Sequence, residues 1–266
     1  MNDARLLVRL LGVSMRSQLQ YRASMVMQSV GHLLVTGIEF LGVWALFARF
    51  GQLDGWTLAE VAVFYGVVNV SFALADAGGR GFDQVAARIK QGDFDRLLLR
   101  PRSTALQVAG LELTLKRIGR LSQGLAGLIW GLSALGVGWG PGRVALLAWI
   151  VVGATSMFYG LMVVQATIAF WTTESLELMN VLTYGGVETA QYPMSVYRRW
   201  FRRVFTYVVP LACVCYLPVL ALIERPDPLG APLWAQRVAP AAGLVFLAGA
   251  LALWRGGVRR YTSTGS

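Results

Sequence analysis

Long apolar stretches are the feature that most constrains how this chain can fold. Hydropathy marks five of them, at roughly 25–48, 57–76, 121–138, 144–171 and 238–254. Each is close to the roughly 20 residues that a helix needs to cross a hydrocarbon layer about 30 Å thick. Inside lipid, a helix satisfies all its backbone amides within its own segment. The sequence therefore predicts an all-α integral membrane protein.

Composition agrees with this fold class and excludes several functions. Hydrophobic residues make up 56% of the 266 residues and charged residues 14%, against about 25% charged residues in soluble domains. The formal net charge is +10, but the basic residues lie between apolar stretches, which favours lipid headgroups over nucleic acid as their partner. Cys213, Cys215 and the single histidine, His32, form no metal-binding pattern. We predict no metal site and no nucleic-acid partner.

Charge asymmetry sets the predicted orientation. With both termini in the cytoplasm, the inner side collects 16 of the 24 lysines and arginines, as the positive-inside rule requires. Segment 1–24 lacks the apolar core of a signal peptide. It places arginines and leucines on different sides of a helix, which predicts a cytoplasmic interfacial helix, with a solvated tail as the alternative. Two cytoplasmic termini require an even number of spans, and we predict six.

The span still missing from this set has two possible positions. Hydropathy alone favours 206–223, but Pro210 and Pro218 each remove a helical hydrogen bond. The alternative span is 174–191, with the proline-containing segment folded as a re-entrant pair of half-helices. That choice places four arginines at the outer face, against the positive-inside tendency: Arg198, Arg199, Arg202 and Arg203. The residues alone leave the two positions equally favoured.

Glycine spacing predicts one close helix contact. Gly127 and Gly131 form a small-xxx-small pair, which Gly124 and Ala134 extend along the same face. Such faces let two membrane helices approach closely. The general abundance of glycine in membrane helices is an equally good explanation.

The connection after the second span is long and charged. Phe82 and Ile89 recur there at helical spacing, and Gly92 can end that helix. Asp93 can cap a following turn through Leu97–Leu99. Three consecutive leucines among alternating charges need a partner to cover them. The segment is therefore predicted to be a docking surface rather than a loop that only lies on the membrane.

Ionisable side chains inside the spans are candidates for a substrate path, because such groups are costly in lipid unless paired or hydrated. His32 and Glu39 share one face of the first span. Glu177, Tyr184 and Glu188 share one face of the segment 174–191. These residues could instead be polar contacts between helices, but we favour the path.

No enzyme motif is present. The only lysines, Lys90 and Lys116, follow Ile89 and Leu115, so no phosphate-binding P-loop can be written on this sequence. The sequence also lacks GxSxG and HExxH motifs. Any ATP-driven work is therefore expected to come from a partner chain.

Three segments resemble a known family. GDFDRLLLRP (92–101), YPMSVYRRWFRRVFTYVVPLACVCYLPVLAL (192–222) and WRGGVRRYTSTGS (254–266) are similar to the membrane permeases of type-2 ATP-binding-cassette (ABC) exporters, especially a bacterial branch of similar length. The resemblance implies a six-helix permease of the bacterial inner membrane with both termini cytoplasmic. It also implies a dimer with a second copy or a similar permease, driven by separate P-loop ATPase subunits. ATP and Mg would bind those subunits, and this chain would hold no cofactor.

The resemblance also assigns roles to two segments. In the family, a coupling helix between the second and third spans sits on the ATPase, and it matches 81–97 here. A re-entrant hairpin at the outer face precedes the last span, which favours 174–191 as the fifth crossing over 204–223. The residues implied to couple to the ATPase are Phe82, Ile89, Gly92, Asp93, Phe94, Asp95, Arg96 and Leu97.

The complete prediction is a single transmembrane permease domain. Its parts are the interfacial helix 1–24, spans at 25–48, 57–76, 106–138, 144–171, 174–191 and 237–256, the cytoplasmic coupling segment 77–105, the re-entrant hairpin 193–223 and the cytoplasmic tail 257–266. The predicted function is ATP-driven export. The alternative is a secondary transporter or channel that works without an ATPase.

Overall fold

The computed structural model describes residues 22–111, 118–172 and 176–262. These residues form helices and no β-strand, apart from an isolated bridge between Leu53 and Trp56. The first part of the chain contains α1 Arg22–Phe50, α2 Leu58–Asp83, α3 Val85–Lys90, α4 Asp95–Leu98, α5 Thr104–Ala109, α6 Ile118–Ala134, α7 Pro141–Ile168 and α8 Leu176–Ala190. A 3₁₀ turn at Met194–Val196 is followed by α9 Arg199–Arg203, π-helical turns at Val204–Val208 and Ala212–Tyr216, α10 Leu217–Leu222, α11 Leu233–Val238 and α12 Ala241–Arg260.

Within the described ranges, four helical stretches are long and apolar enough to cross a membrane. They are Leu33–Phe50, Leu58–Lys90, Pro141–Ile168 and Ala241–Arg260. The described parts of α6 and α8 have 17 and 15 residues, and the segments just before them, 112–117 and 173–175, lie outside the described residues. At 1.5 Å per residue these parts are about 25 Å and 22 Å long.

Helix α2 lies at the centre of the molecule, and most of its side chains are buried. It packs against α6 through the predicted glycine face. A Cβ added at Gly131 would lie 2.8 Å from the carbonyl oxygen of Ala59, and one at Gly124 would lie 3.0 Å from Asn69. On the α2 side, a Cβ at Gly66 would lie 2.5 Å from Leu128. The close approach predicted from the glycine spacing is therefore confirmed.

Helices α7 and α12 form a second close pair. A Cβ at Gly243 would lie 1.9 Å from the carbonyl oxygen of Gly153. Further along the pair, a Cβ at Gly160 would lie 2.8 Å from the ring of Phe246. Because α7 also packs on α2, these contacts join α2, α7 and α12 into one unit.

Two tryptophans mark the opposite ends of this helix bundle. At the start of α2, the Trp56 Nε1 group donates a hydrogen bond to Ser195 Oγ at 3.0 Å, and the Arg225 guanidinium lies 3.7 Å from the centre of the Trp56 ring. Arg225 also pairs with Glu60. Trp254, near the end of α12, contacts Phe82 near the end of α2, with 5.3 Å between ring centres. We call these the Trp56 end and the Trp254 end.

The segment 193–223 begins and finishes at the Trp56 end. Ser195, near its start, and Arg225, just after it, both contact Trp56. Between them, the helical stretches Arg199–Val208 and Ala212–Leu222 meet at an angle of 84°. Leu211, in this bend, lies against Gly186 of α8. Both ends of the segment therefore lie near Trp56, with a sharp bend between its two helical halves.

Several element boundaries differ from the prediction. Helix α2 continues past residue 76 to Asp83, so residues 77–83, the predicted start of the coupling segment, form the last turns of this helix. Close packing holds the glycine-rich end of α2 in helical form: a Cβ at Gly79 would lie 2.4 Å from Met162, and one at Gly81 would lie 1.9 Å from the Val108 carbonyl oxygen.

The predicted third and last spans also change. The span 106–138 is interrupted, because α5 ends at Ala109 and residues 135–138 follow the end of α6. The last span starts at Ala241 rather than 237 and extends to Arg260, since residues 233–238 form the separate helix α11. Of the predicted terminal segments, residues 1–21 and 263–266 lie outside the described residues.

Candidate functional site

The predicted coupling segment contains two short helices joined by a tight turn. Helix α3 ends at Lys90, and Gly92 follows with φ +71°, a conformation that glycine adopts without steric cost. This turn brings the Phe94 amide to the Arg88 carbonyl oxygen at 3.3 Å. Helix α4 then begins at Asp95. The predicted role of Gly92 as the end of the first helix is confirmed.

Two local details of the prediction are wrong. Phe82 belongs to the last turn of α2 rather than to the short amphipathic helix. The Asp93 side chain does not cap the next helix; instead it pairs with Arg96 at 3.5 Å.

Phe94 fixes this segment to the rest of the protein. Its side chain is fully buried, and its ring lies 5.0 Å from Tyr261, 5.1 Å from Phe170 and 6.3 Å from Trp254, centre to centre. The Trp254 Nε1 group also donates to Thr104 Oγ1 at 3.0 Å. We call the cluster Phe82, Phe94, Phe170, Trp254 and Tyr261 the aromatic anchor. It joins the coupling segment to α2, to the chain after α7 and to α12.

The outer surface of the same segment is both charged and apolar. Ile89 and Leu97 are buried, and Gln107 Nε2 donates to the Leu97 carbonyl oxygen at 3.1 Å. By contrast, Leu98 is 42% and Leu99 84% exposed. The Arg96 side chain is 82% exposed beside Asp93. The expectation that all three leucines need an outside partner is therefore wrong for Leu97, and for the exposed Leu98 and Leu99 it stays a prediction.

A second candidate site is a polar cluster between α2, α6 and α8. Arg120 lies with its guanidinium 5.0 Å from the centre of the Phe72 ring and 3.9 Å from Glu188. The Tyr184 ring lies 5.8 Å from the same Phe72 ring. The members of this polar cluster differ in exposure: the Arg120 side chain is 10% exposed and the Glu188 side chain is 56% exposed. A buried cation is thus joined to a carboxylate at the protein surface.

This cluster contains part of the predicted substrate path. Tyr184 and Glu188 lie together in it, whereas the side chains of His32, Glu39 and Glu177 lie outside the described residues. Sequence reasoning missed Arg120 as a site residue and counted it only among the charges of the cytoplasmic side. Helical spacing was the available signal, because residue 120 lies on the same face as Gly124 and Gly131.

Asp76 is another residue that sequence reasoning missed. Its side chain is completely buried within α2. An acidic residue inside an apolar stretch is itself the signal that should have identified it. Asp76 is the last residue of the predicted second span, and a charged residue at that position suggests the start of the following loop.

A family comparison decides the class of protein. The sequence model of the family described as "ABC-2 family transporter protein" matches residues 33–265. The chain belongs to the ABC-2 transporter family. The matched range of this ABC-2 protein includes the coupling segment, the polar cluster and the segment 193–223, which we call the bent segment. The resemblance drawn from three segments of the sequence is therefore confirmed. No curated protein and no solved structure matches the ABC-2 protein.

Membership makes this ABC-2 protein a multi-pass membrane subunit of an ABC transporter. Neither candidate site of the ABC-2 protein has a metal-binding arrangement. In the part of the chain that the structure describes, no three histidine, cysteine, aspartate or glutamate side chains are grouped to hold a metal ion.

Proposed function

We propose that this chain is the permease subunit of an ATP-driven exporter in the bacterial inner membrane. The observation that carries the proposal is the family match over residues 33–265. Separate P-loop ATPase subunits would bind ATP and Mg and supply the energy. The permease would work as a dimer, either with a second copy or with a similar chain.

The proposed orientation places the Trp254 end in the cytoplasm. Basic residues lie there in the coupling segment and at the end of α12: Arg88, Lys90, Arg96, Arg100, Arg102, Arg255, Arg259 and Arg260. The described part of the Trp56 end carries as many, so the orientation depends on the whole sequence, in which 16 of the 24 lysines and arginines fall on the predicted cytoplasmic side. The positive-inside tendency favours the cytoplasm for the side with this excess. In this arrangement α6 and α8 complete six spans, and both termini are cytoplasmic.

The same orientation places the segment 193–223 at the outer face as a re-entrant hairpin. The contacts of Ser195 and Arg225 with a single side chain, Trp56, support this assignment. A membrane span would separate its two ends by about 30 Å. The 84° bend at Pro210 is also what a proline inside a helical segment favours.

The ATPase would dock on the outer surface of the coupling segment. Arg96, Leu98 and Leu99 provide a charge beside exposed apolar area, a combination suited to an interface with a polar rim. Because these residues belong to α4 and the turn after it, they lie directly beside Phe94. Force applied to this surface reaches the aromatic anchor without crossing a flexible loop.

The aromatic anchor would transmit that force to the membrane helices. Its five rings belong to α2, to the coupling segment and to the two chain segments at the ends of α7 and α12. Close glycine contacts join the same three long helices to each other. The unit would therefore tilt as a rigid body, as packed helices do in transport cycles with two discrete states.

The substrate path would lie at the interface between two permeases. Glu188 and Tyr184 are exposed on α8, and a carboxylate facing lipid is costly. A second permease placed over this face would remove Glu188 from lipid and enclose a polar route beside Arg120. His32, Glu39 and Glu177 remain candidates for the same route.

Co-purification of an ATPase tests the proposed function. We expect the full chain, extracted from its native membrane, to retain a chain with a P-loop. The double variant Asp95→Lys with Arg96→Glu should reduce that yield by about tenfold, the effect of a charged contact worth about 1.4 kcal/mol. Arg260→Glu is the matched control, because Arg260 is exposed at the same end.

Two results would contradict the proposal. One is equal recovery of the ATPase by the double variant and the control. The other is substrate movement by the purified chain alone in vesicles without any ATPase, which is the behaviour of a secondary transporter or channel.

A further inference from the structure

Three arginines line a cavity at the Trp56 end of the bent segment. Arg202 and Arg203 follow Arg199 by three and four residues, so all three lie on one side of α9. They border a cavity of about 440 Å³. The opposite wall is formed by Tyr216 and by the loop around Asp227. This cavity lies at the opposite end of the helices from the aromatic anchor.

The arginines of this face lack a carboxylate partner. Among the residues that the structure describes, no carboxylate oxygen lies within 4.0 Å of the guanidinium groups of Arg199, Arg202 or Arg203. Two other arginines at the same end are paired, Arg143 with Glu224 and Arg225 with Glu60. The three arginines that line the cavity are thus unpaired within the described residues, at an end where two other arginines have carboxylate partners.

Asp227 also lines the cavity, but both of its carboxylate oxygens already accept hydrogen bonds from within the protein. Its Oδ1 atom accepts hydrogen bonds from the Tyr216 hydroxyl at 2.8 Å and the Leu229 amide at 3.0 Å. Its Oδ2 atom accepts from the Ala231 amide at 3.0 Å. One carboxylate thus shapes the wall, while three positive charges face the same space. The net charge of the lining is positive.

Like charges within one helical turn destabilise the helix, and an anion in the cavity would relieve that repulsion. Guanidinium groups match the oxygens of phosphate with paired hydrogen bonds, which makes arginine the preferred side chain for phosphate recognition. Trp200 and Tyr207, 64% and 82% exposed, flank the arginines. Tryptophan and tyrosine are enriched where membrane proteins meet lipid headgroups.

We propose that Arg199, Arg202 and Arg203 form a binding site for a phosphate group, carried either by a lipid headgroup or by free phosphate. The cavity volume exceeds that of one phosphate ion and leaves room for a headgroup. Binding would hold α9 and the loop around Asp227 together. The site would thereby stabilise the bent segment against the charge repulsion that its own sequence creates.

Binding titrations of the purified full chain in uncharged detergent test this site. One arm uses native mass spectrometry with dioctanoyl phosphatidylglycerol and dioctanoyl phosphatidylcholine, and the other uses calorimetry with inorganic phosphate. The test variant is Arg199→Gln with Arg202→Gln and Arg203→Gln. The matched control is Arg198→Gln, because Arg198 is exposed in the same cluster but does not line the cavity.

We expect the wild-type chain to bind phosphatidylglycerol at least about tenfold more tightly than phosphatidylcholine, or to bind inorganic phosphate, with the triple variant losing this binding. A response to the lipid alone identifies a headgroup site, and a response to inorganic phosphate identifies a site for the free ion. Arg198→Gln should keep wild-type binding. If the triple variant does not fold, Arg202→Lys, which keeps the charge but loses the planar fork, should weaken binding several-fold.

Two outcomes would overturn the proposal. The first is equal binding of both probes by wild type and by the arginine variants. The second is a loss in Arg198→Gln as large as the loss in the triple variant, which would indicate general charge attraction without a site.

Discussion

Single glycine residues set the distance between the longest helices. At Gly243 the backbone of α12 approaches α7 so closely that a Cβ would lie 1.9 Å from the Gly153 carbonyl oxygen. The clash is with backbone rather than with a flexible side chain, so no rotamer change can relieve it. The two helices must separate to admit even one methyl group.

Gly243→Ala should therefore destabilise the protein by about 1–3 kcal/mol, the usual cost of overpacking. Gly249→Ala is the control, because it lies on the same helix with no heavy atom within 4 Å of the added Cβ. Alanine in an open helical position should stabilise slightly. Thermal unfolding of both purified variants measures the difference. Equal midpoints would contradict the close packing of α7 and α12.

The pair of Arg120 and Glu188 gives a second prediction for single residues. Each side chain loses its ionic partner when the other is replaced, so Arg120→Gln and Glu188→Gln should not be additive. We expect a coupling energy of about 0.6 kcal/mol, the average for polar contacts between membrane helices. A double-mutant cycle of unfolding free energies measures it. Strict additivity would show that the 3.9 Å contact has no energetic importance.

At the scale of elements, sequence patterns predict the interiors of the long helices and miss their ends. Residues 57–76 were predicted because apolar side chains repeat there without interruption. Residues 77–83 looked like a loop because they contain three glycines and an arginine. Their helix persists because those glycines fit closely against Met162 and Val108. Such contacts join distant parts of the chain, so local composition does not reveal them.

The bent segment shows the same limit. Residues 206–223 have the hydropathy of a span, and Pro210 is the local sign of a bend. The convergence of both ends on Trp56 depends on Ser195 and Arg225, which are 139 and 169 residues away from it along the chain. In the polar cluster, Glu188 was recognisable as a carboxylate in an apolar segment. Its partner Arg120 was not, because it was counted only among the charges of the cytoplasmic side.

The aromatic anchor provides the prediction at this scale. Phe94→Ala removes a fully buried ring, a change that typically costs about 3–5 kcal/mol. We expect faster amide hydrogen exchange in α3 and α4, with little change at the start of α12, which is far from the ring. Phe94→Leu keeps most of the side-chain volume, so its amide exchange rates in α3 and α4 should lie between those of the wild type and Phe94→Ala. Unchanged exchange in α3 and α4 would show that the anchor does not hold the coupling segment.

At the scale of the whole molecule, the two ends have different chemistry. The Trp254 end presents Arg96, Leu98 and Leu99 on a segment held by buried rings. The Trp56 end contains the arginine-lined cavity and two ion pairs, Arg143 with Glu224 and Arg225 with Glu60. Three long helices with close mutual contacts connect these ends. This division suits a membrane subunit that receives force at one end and controls access at the other.

Photo-cross-linking from the two ends tests this account most directly. A photoreactive side chain replaces Leu99 in one variant and Tyr207 in the other, since these residues are 84% and 82% exposed at opposite ends. In native cells, we predict that position 99 cross-links to a chain that mass spectrometry identifies as a P-loop ATPase, and that position 207 does not. An ATPase captured from position 207, or from neither position, would contradict the proposed coupling.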